Sequence, residues 1–115
     1  MDVNCYAPSM MLRDFYPKMG AQEIRSAICV TSSIQAEVHC SGYAAYCGSK
    51  HFITALTKGI GMKKPNNLDI MLIHPNFVET SMCDGLKIQN KSLLAVTPDR
   101  CAKGAIRDLS LIPQN

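Results

Sequence analysis

No two of the six cysteines, at positions 5, 29, 40, 47, 83 and 101, stand at CxxC spacing. That argues against a zinc site built on paired cysteines. His39, His51 and His74 are scattered and supply no ligand cluster, so no metal is expected. The start, MDVNCYAPSMM, lacks the basic and apolar regions of a secretory leader. The cysteines therefore read as reduced, intracellular thiols, with Cys29 in an apolar run as a small core residue. No apolar run approaches the roughly 20 residues needed to span a bilayer, and none is expected to. Lys63-Lys64 is the densest basic pair and has no aromatics interleaved with it. The net charge of +3 thus reads as solvated surface, not as a nucleic-acid face.

What is present is ordinary globular composition, 47% hydrophobic and 18% charged over 115 residues, enough for one domain. Residues 2–19 have apolar spacings of three and four through Met10, Met11, Leu12, Phe15, Tyr16 and Met19, a helix pattern with Pro17 and Gly20 marking its end. Ser26 to Thr31 and Leu68 to Ile73 are short apolar runs of the kind found in strands buried on both faces of a parallel sheet. Between them, residues 34–42 read as a loop and 43–61 as a helix burying Tyr46, Ile53, Ala55, Leu56 and Ile60. Pro75 stops the second strand, residues 76–96 read as irregular, and Thr97-Pro98-Asp99 opens a last helix as N-cap, N1 and N2. Alternating helices and strands predict a parallel α/β sheet. Two strands cannot form a stable open sheet, so the elements look like half of a fold.

Ligands of open α/β sheets bind beyond the carboxyl ends of the strands, where Ser32 and Ser33 lie. Tyr46 and Lys50 are i and i+4 and share one helix face. An ammonium near a phenol favours the phenolate, which suits proton transfer, and a serine hydroxyl can donate to a carbonyl oxygen. On spacing alone, a Tyr followed by a Lys at i+4 is more often a surface contact than a site.

The wider pattern resembles the short-chain dehydrogenase/reductase family. "VTSS", a thirteen-residue step from Ser33 to Tyr46, and "YCGSK" are similar to that family's serine followed by Y-x-x-x-K, with Gly48 in place of the common Ala. "HPNFVET", residues 74–80, resembles its P-G-x-V-x-T segment, with Asn76 in place of Gly. "DVNCYAPSMMLRDFYPKM" resembles the helix that carries the family's catalytic Asn. Within the family, "NC…PKM", "PNFVETSM" and "TPDRCAKGAI" are most similar to the 17β-hydroxysteroid dehydrogenase and very-long-chain 3-oxoacyl-CoA reductase branch.

The resemblance implies a partial Rossmann-like fold and hydride transfer between NADP, or alternatively NAD, and a carbonyl or alcohol such as a steroid or 3-oxoacyl lipid. It implies Tyr46 as general acid or base and Lys50 as its partner and ribose ligand. Ser33, rather than Ser32, would polarise the carbonyl, and Asn4 would hold a relay water through its backbone carbonyl. Pro75, Val78 and Thr80 would border the nicotinamide, and residues 80–97 would be the substrate loop. It also implies a homodimer through the helices near 2–19 and 43–61, and a cytoplasmic location, or the endoplasmic reticulum if the branch holds. Pro8 has no N–H for the Asn4 carbonyl. Either the helix kinks there and leaves that carbonyl to the water, or it starts only after Pro8.

A dinucleotide enzyme of this kind needs a glycine-rich turn after its first strand. "KGIGMKK" lies at a helix end and does not qualify. Residues 1–115 therefore read as the catalytic half of such a domain without the dinucleotide-binding half, and poor dinucleotide binding by the chain alone is expected. The alternative is a truncated, non-catalytic module that docks on a full-length relative.

Overall fold

The structure is a computed structural model, and it describes residues 1–38, 41–83 and 95–113. The chain divides into two compact units, Met1–His74 and Pro75–Gln114. The expectations for His39 and Cys40, and for most of the 80–97 loop, lie outside the described residues.

The first unit opens with a π-helical turn, Asp2–Tyr6, that runs directly into helix α1, Ala7–Gly20. In the turn, the Tyr6 and Ala7 amides bond five residues back, to the Met1 and Asp2 carbonyls. The widened turn sits just before Pro8, which cannot donate to the Asn4 carbonyl. The helical path thus begins at Asp2, which corrects the reading in which it starts only after Pro8. Pro17 lies inside α1, in its last turn, and the helix runs on to Gly20. There the chain is so close to the next segment that a Cβ on Gly20 would meet Pro65 Cγ at 2.8 Å.

Strands β1, Ser26–Thr31, and β2, Leu68–Ile73, pair in parallel, with Ile28 opposite Ile70 and Val30 opposite Leu72. Helix α2, Ala44–Gly61, is the crossover between them, as a parallel pair requires. The core forms where Leu12 of α1, Val30 of β1 and Ile53 of α2 meet, with Ile28, Leu56, Ile60 and Leu72 packed around them. Full burial of Ile53 and of Leu68 contributes on the order of 1.5–3 kcal/mol each.

Two burial expectations need correction. Cys29 is exposed, not core, because β1 alternates: Ile28 and Val30 face the helices while Cys29 and Thr31 point away from them. Along α2 the buried residues are Ser49, Ile53, Thr54 and Thr57, whereas Tyr46 and Ala55 are exposed. The helix meets its neighbours through a partly polar face, and apolar identity alone could not mark that face.

Asp69 is a buried carboxylate within β2. Arg25 at 2.7 Å and Lys64 at 3.5 Å neutralise it.

The second unit holds a short parallel pair, β3 at Phe77–Val78 and β4 at Ala95–Val96, then helix α3, Pro98–Ser110. The Thr97 side chain accepts the Arg100 amide at 3.3 Å, the N-cap that the sequence predicts.

Candidate active site

Tyr46 stands in the first turn of α2 and Lys50 one turn later. The Lys50 Nζ lies 5.9 Å from the centre of the Tyr46 ring, within cation–π range. It also donates to the Thr31 carbonyl at 3.3 Å, which ties the ammonium to the carboxyl end of β1. Burial lowers the Lys50 pKa from its ordinary 10.5, and the nearby Cys5 opposes that shift. Tyr46 is 37% exposed.

The two serines after β1 divide the work. The buried Ser32 hydroxyl lies 2.6 Å from Thr54 Oγ1 and donates to the Lys50 carbonyl at 3.1 Å. Both contacts fasten β1 to α2 at the turn that carries Lys50. Ser33 caps the 3₁₀ turn Ile34–Ala36: its Oγ accepts the Gln35 amide at 3.2 Å. A hydroxyl that accepts there keeps its own proton for donation. His74 Nδ1 lies 3.1 Å from the Ser33 carbonyl, so the end of β2 braces the same peptide.

Asn4 reaches the site through a residue that the motif reading left without a role. Its Nδ2 donates to Ser49 Oγ at 3.2 Å, and that hydroxyl donates to the Tyr46 carbonyl at 2.7 Å. The Ser49 carbonyl in turn takes the Cys5 thiol at 3.7 Å. Ser49 is buried and links the π turn to the turn of α2 that carries Tyr46. Its signal was the Ser of "YCGSK", legible as motif but not as contact.

Asn4, Ser33, Tyr46 and Lys50 all belong to the first unit, while Pro75, Val78 and Thr80 belong to the second. There the Val78 carbonyl accepts Thr80 Oγ1 at 3.4 Å and the Cys83 thiol at 3.1 Å. Among the described residues no group of three or more His, Cys, Asp or Glu could hold a metal ion. No described helix is long and apolar enough to cross a membrane.

Residues 1–91 match the sequence profile of the short chain dehydrogenase family. The chain belongs to that family. Similarity to individual members is distant. The chain is 27% identical over 107 residues to dehydrogenase/reductase SDR family member 7B of Xenopus laevis, which covers 92% of this chain and 30% of the relative. To the Xenopus tropicalis protein of the same name it is 29% identical over 100 residues, covering 86% and 29%. The chain thus spans about a third of the length of these relatives.

Family membership raises the question of a bound dinucleotide. The residues present fit one end of it. The partly buried Lys50 ammonium over the Tyr46 ring has the chemistry that would hold a ribose hydroxyl, and the Ser33 hydroxyl, free to donate, has the chemistry that would meet a carbonyl. The other end finds no match: β1 is followed by Ser32 and Ser33, not by glycines, and the positive-φ glycine among the described residues, Gly42, follows no strand. Among the described residues of this unit, none builds a cradle for the pyrophosphate.

Proposed function

We propose that these residues form the proton-transfer end of an NAD(P)-dependent oxidoreductase that interconverts a carbonyl and an alcohol. The observation that carries this reading is the Asn4–Ser49–Tyr46 hydrogen-bond chain beside the Lys50 ammonium. In the reductive direction the Ser33 hydroxyl donates to the carbonyl oxygen and the Tyr46 hydroxyl gives it a proton. Lys50 holds its charge near the phenol and is the ligand for the nicotinamide ribose. The dinucleotide, NADP or alternatively NAD, supplies the hydride when bound. Pro75, Val78 and Thr80 are assigned to its nicotinamide border on the motif alone. A steroid or a 3-oxoacyl lipid is the substrate class that the branch motifs support.

The test is NADPH-dependent reduction of a ketosteroid and of a 3-oxoacyl thioester. It is run on the chain alone and on the chain joined to the parts of the Xenopus laevis relative outside the matched stretch. Tyr46→Phe should lower turnover of the active form by about 10²-fold or more, the usual worth of a general acid. Turnover unchanged in Tyr46→Phe overturns the assignment.

A second reading, a non-catalytic module docking through helices α1 and α2, is supported by exposed apolar side chains such as Phe52, 47% accessible on α2. Sedimentation of the chain mixed with the full-length Xenopus laevis relative tests it: absence of a joint complex removes the docking reading, and a monomer at all concentrations of the chain alone removes the homodimer.

A further inference from the structure

A cavity lies on a face of α2 that the Tyr46 and Lys50 site does not use. It holds about 350 Å³, within the range of small-molecule sites. Ala44, Cys47, Gly48 and His51 line it from α2, at spacings of three, one and three that make one helix face. The 3₁₀ turn and the residues after it form the other wall, through Gln35, Ala36 and Val38. Gly48 leaves the space beside Cys47 open, since a Cβ there would meet nothing within 4 Å.

Its polar groups form a set. The Cys47 thiol donates to Gln35 Oε1 at 3.6 Å. The amide oxygen is thereby engaged, while Gln35 Nε2 keeps its N–H groups for a ligand. His51 Nδ1 lies 3.0 Å from the Ala36 carbonyl. A carbonyl only accepts, so Nδ1 carries the proton and Nε2 of the neutral ring is left as a base. Cys47 and His51 are i and i+4, with Cβ atoms on the order of 5–6 Å apart, so the thiol proton reaches Nε2 directly or through one water. A nucleophile, a base and a third group that orients the base are the parts of an activated thiol. Cys5 and Cys83 donate instead to the backbone carbonyls of Ser49 and Val78, which cannot serve as bases.

We propose that this cavity is a covalent capture site for α,β-unsaturated ketones, with Cys47 as nucleophile and His51 as base. His51 Nε2 takes the thiol proton, and the sulfur forms a bond to the β-carbon of the ketone. The electron pair of the C=C bond shifts toward the carbonyl, and the enolate oxygen accepts from Gln35 Nε2. The proton on His51 then passes to the α-carbon, which leaves a saturated ketone joined to Cys47 as a thioether. The addition balances without an oxidant or a second reactant. The class follows from the groups present. A thiol attacks a polarised C=C bond, an amide N–H beside it selects a carbonyl oxygen, and Ala36, Val38 and Ala44 offer apolar surface to a substituent. None of these residues belongs to the Asn4–Ser49–Tyr46 chain, so this proposal and the catalytic reading can fail separately.

The test treats the 115-residue chain with a limiting amount of pentyl vinyl ketone and measures the adduct on each cysteine by peptide mass spectrometry. Among the described cysteines Cys29 is the exposed one, so access alone predicts Cys29 first. The site predicts Cys47 first, by about tenfold or more over Cys29. Methyl vinyl ketone, with no tail to seat, should show a smaller preference, and urea should abolish it for both reagents. His51→Gln keeps an N–H for the Ala36 carbonyl and removes the base. It should slow Cys47 by about tenfold or more and leave Cys29 unchanged, with a thermal melt to check that it folds. Gly48→Leu places a side chain in the open space and should slow pentyl vinyl ketone at Cys47 more than methyl vinyl ketone. Faster reaction at Cys29 overturns the proposal. So does a Cys47 rate that survives His51→Gln, or a preference that urea leaves intact. Equal preference for the two ketones reduces Cys47 to an accessible thiol and overturns it as well.

Discussion

Asn4 Nδ2 lies 3.2 Å from Ser49 Oγ, a contact across 45 positions that joins the π turn to α2. Because Ser49 also donates to the Tyr46 carbonyl, its removal frees two elements at once. Ser49→Ala is expected to lower stability by about 1–2 kcal/mol, since it strands the Asn4 amide in a half-buried position. Asn4→Ala should cost less than that alone and little more once Ser49 is gone. A urea-denaturation double-mutant cycle checks this: fully additive effects would mean the contact carries no coupling.

Ser32 and Ser33 are adjacent but make different contacts, and alanine scanning should separate them. Ser32→Ala leaves the buried Thr54 hydroxyl short of its 2.6 Å partner and should cost about 1–3 kcal/mol. Ser33→Ala removes a cap from a three-residue turn and should cost about 1 kcal/mol or less. In an active form the order inverts, with turnover falling further for Ser33→Ala. Thermal melts alongside turnover measure both orders. A larger turnover loss for Ser32→Ala would reassign the serine.

The parallel α/β class, both strands of the first unit and the Thr97 cap were legible because they rest on local signals: β-branched runs, proline stops and a capping triplet. Ser49 and Cys29 were not. A buried serine on α2 makes sense only once Asn4 is known to face it, a contact 45 positions away. Cys29 was misplaced because an apolar run does not reveal that only one face of its strand is covered. The π turn before Pro8 was half legible. The missing N–H announced an irregularity, but a helix that widens rather than starts late depends on how the whole turn packs against α2.

Acid should expose the ion pair at Asp69. The Arg25 hydrogen bond at 2.7 Å, helped by Lys64, holds its carboxyl below the ordinary 3.8 against the opposing effect of burial. A pKa lowered by folding means the charge stabilises the native state fully above the unfolded value, and that contribution is lost as pH falls through the folded value. Wild type should therefore lose stability below about pH 4 more steeply than Asp69→Asn. Urea midpoints of both, taken from pH 7 downward, should converge. Parallel curves would show that Asp69 does not titrate with unfolding.

Gly20 tests the contact between the end of α1 and the turn before β2. An alanine there puts a methyl 2.8 Å from the Pro65 ring, and a ring of that kind yields only if the turn moves. Overpacking of this sort costs about 1–3 kcal/mol. Gly20→Ala should lower the melting temperature, and Pro65→Ala in the same chain should recover part of the loss. A neutral Gly20→Ala would show that the close approach does not persist in solution.

Gly48 gives the opposite expectation within the "YCGSK" segment. It sits inside α2, exposed, and an added Cβ would meet nothing within 4 Å. Glycine in a helix interior costs roughly 0.5–1 kcal/mol relative to alanine through backbone entropy in the unfolded chain. Gly48→Ala should therefore raise stability by about that amount without disturbing Ser49, whose hydrogen bonds point to Asn4 and Tyr46. The same change restores the residue commoner in the family motif. If glycine here serves only as a tolerated departure, turnover of an active form should be unchanged by it. A stabilised but slower variant, seen by comparing melts with turnover, would instead mean that the first turns of α2 must flex as Tyr46 meets its substrate.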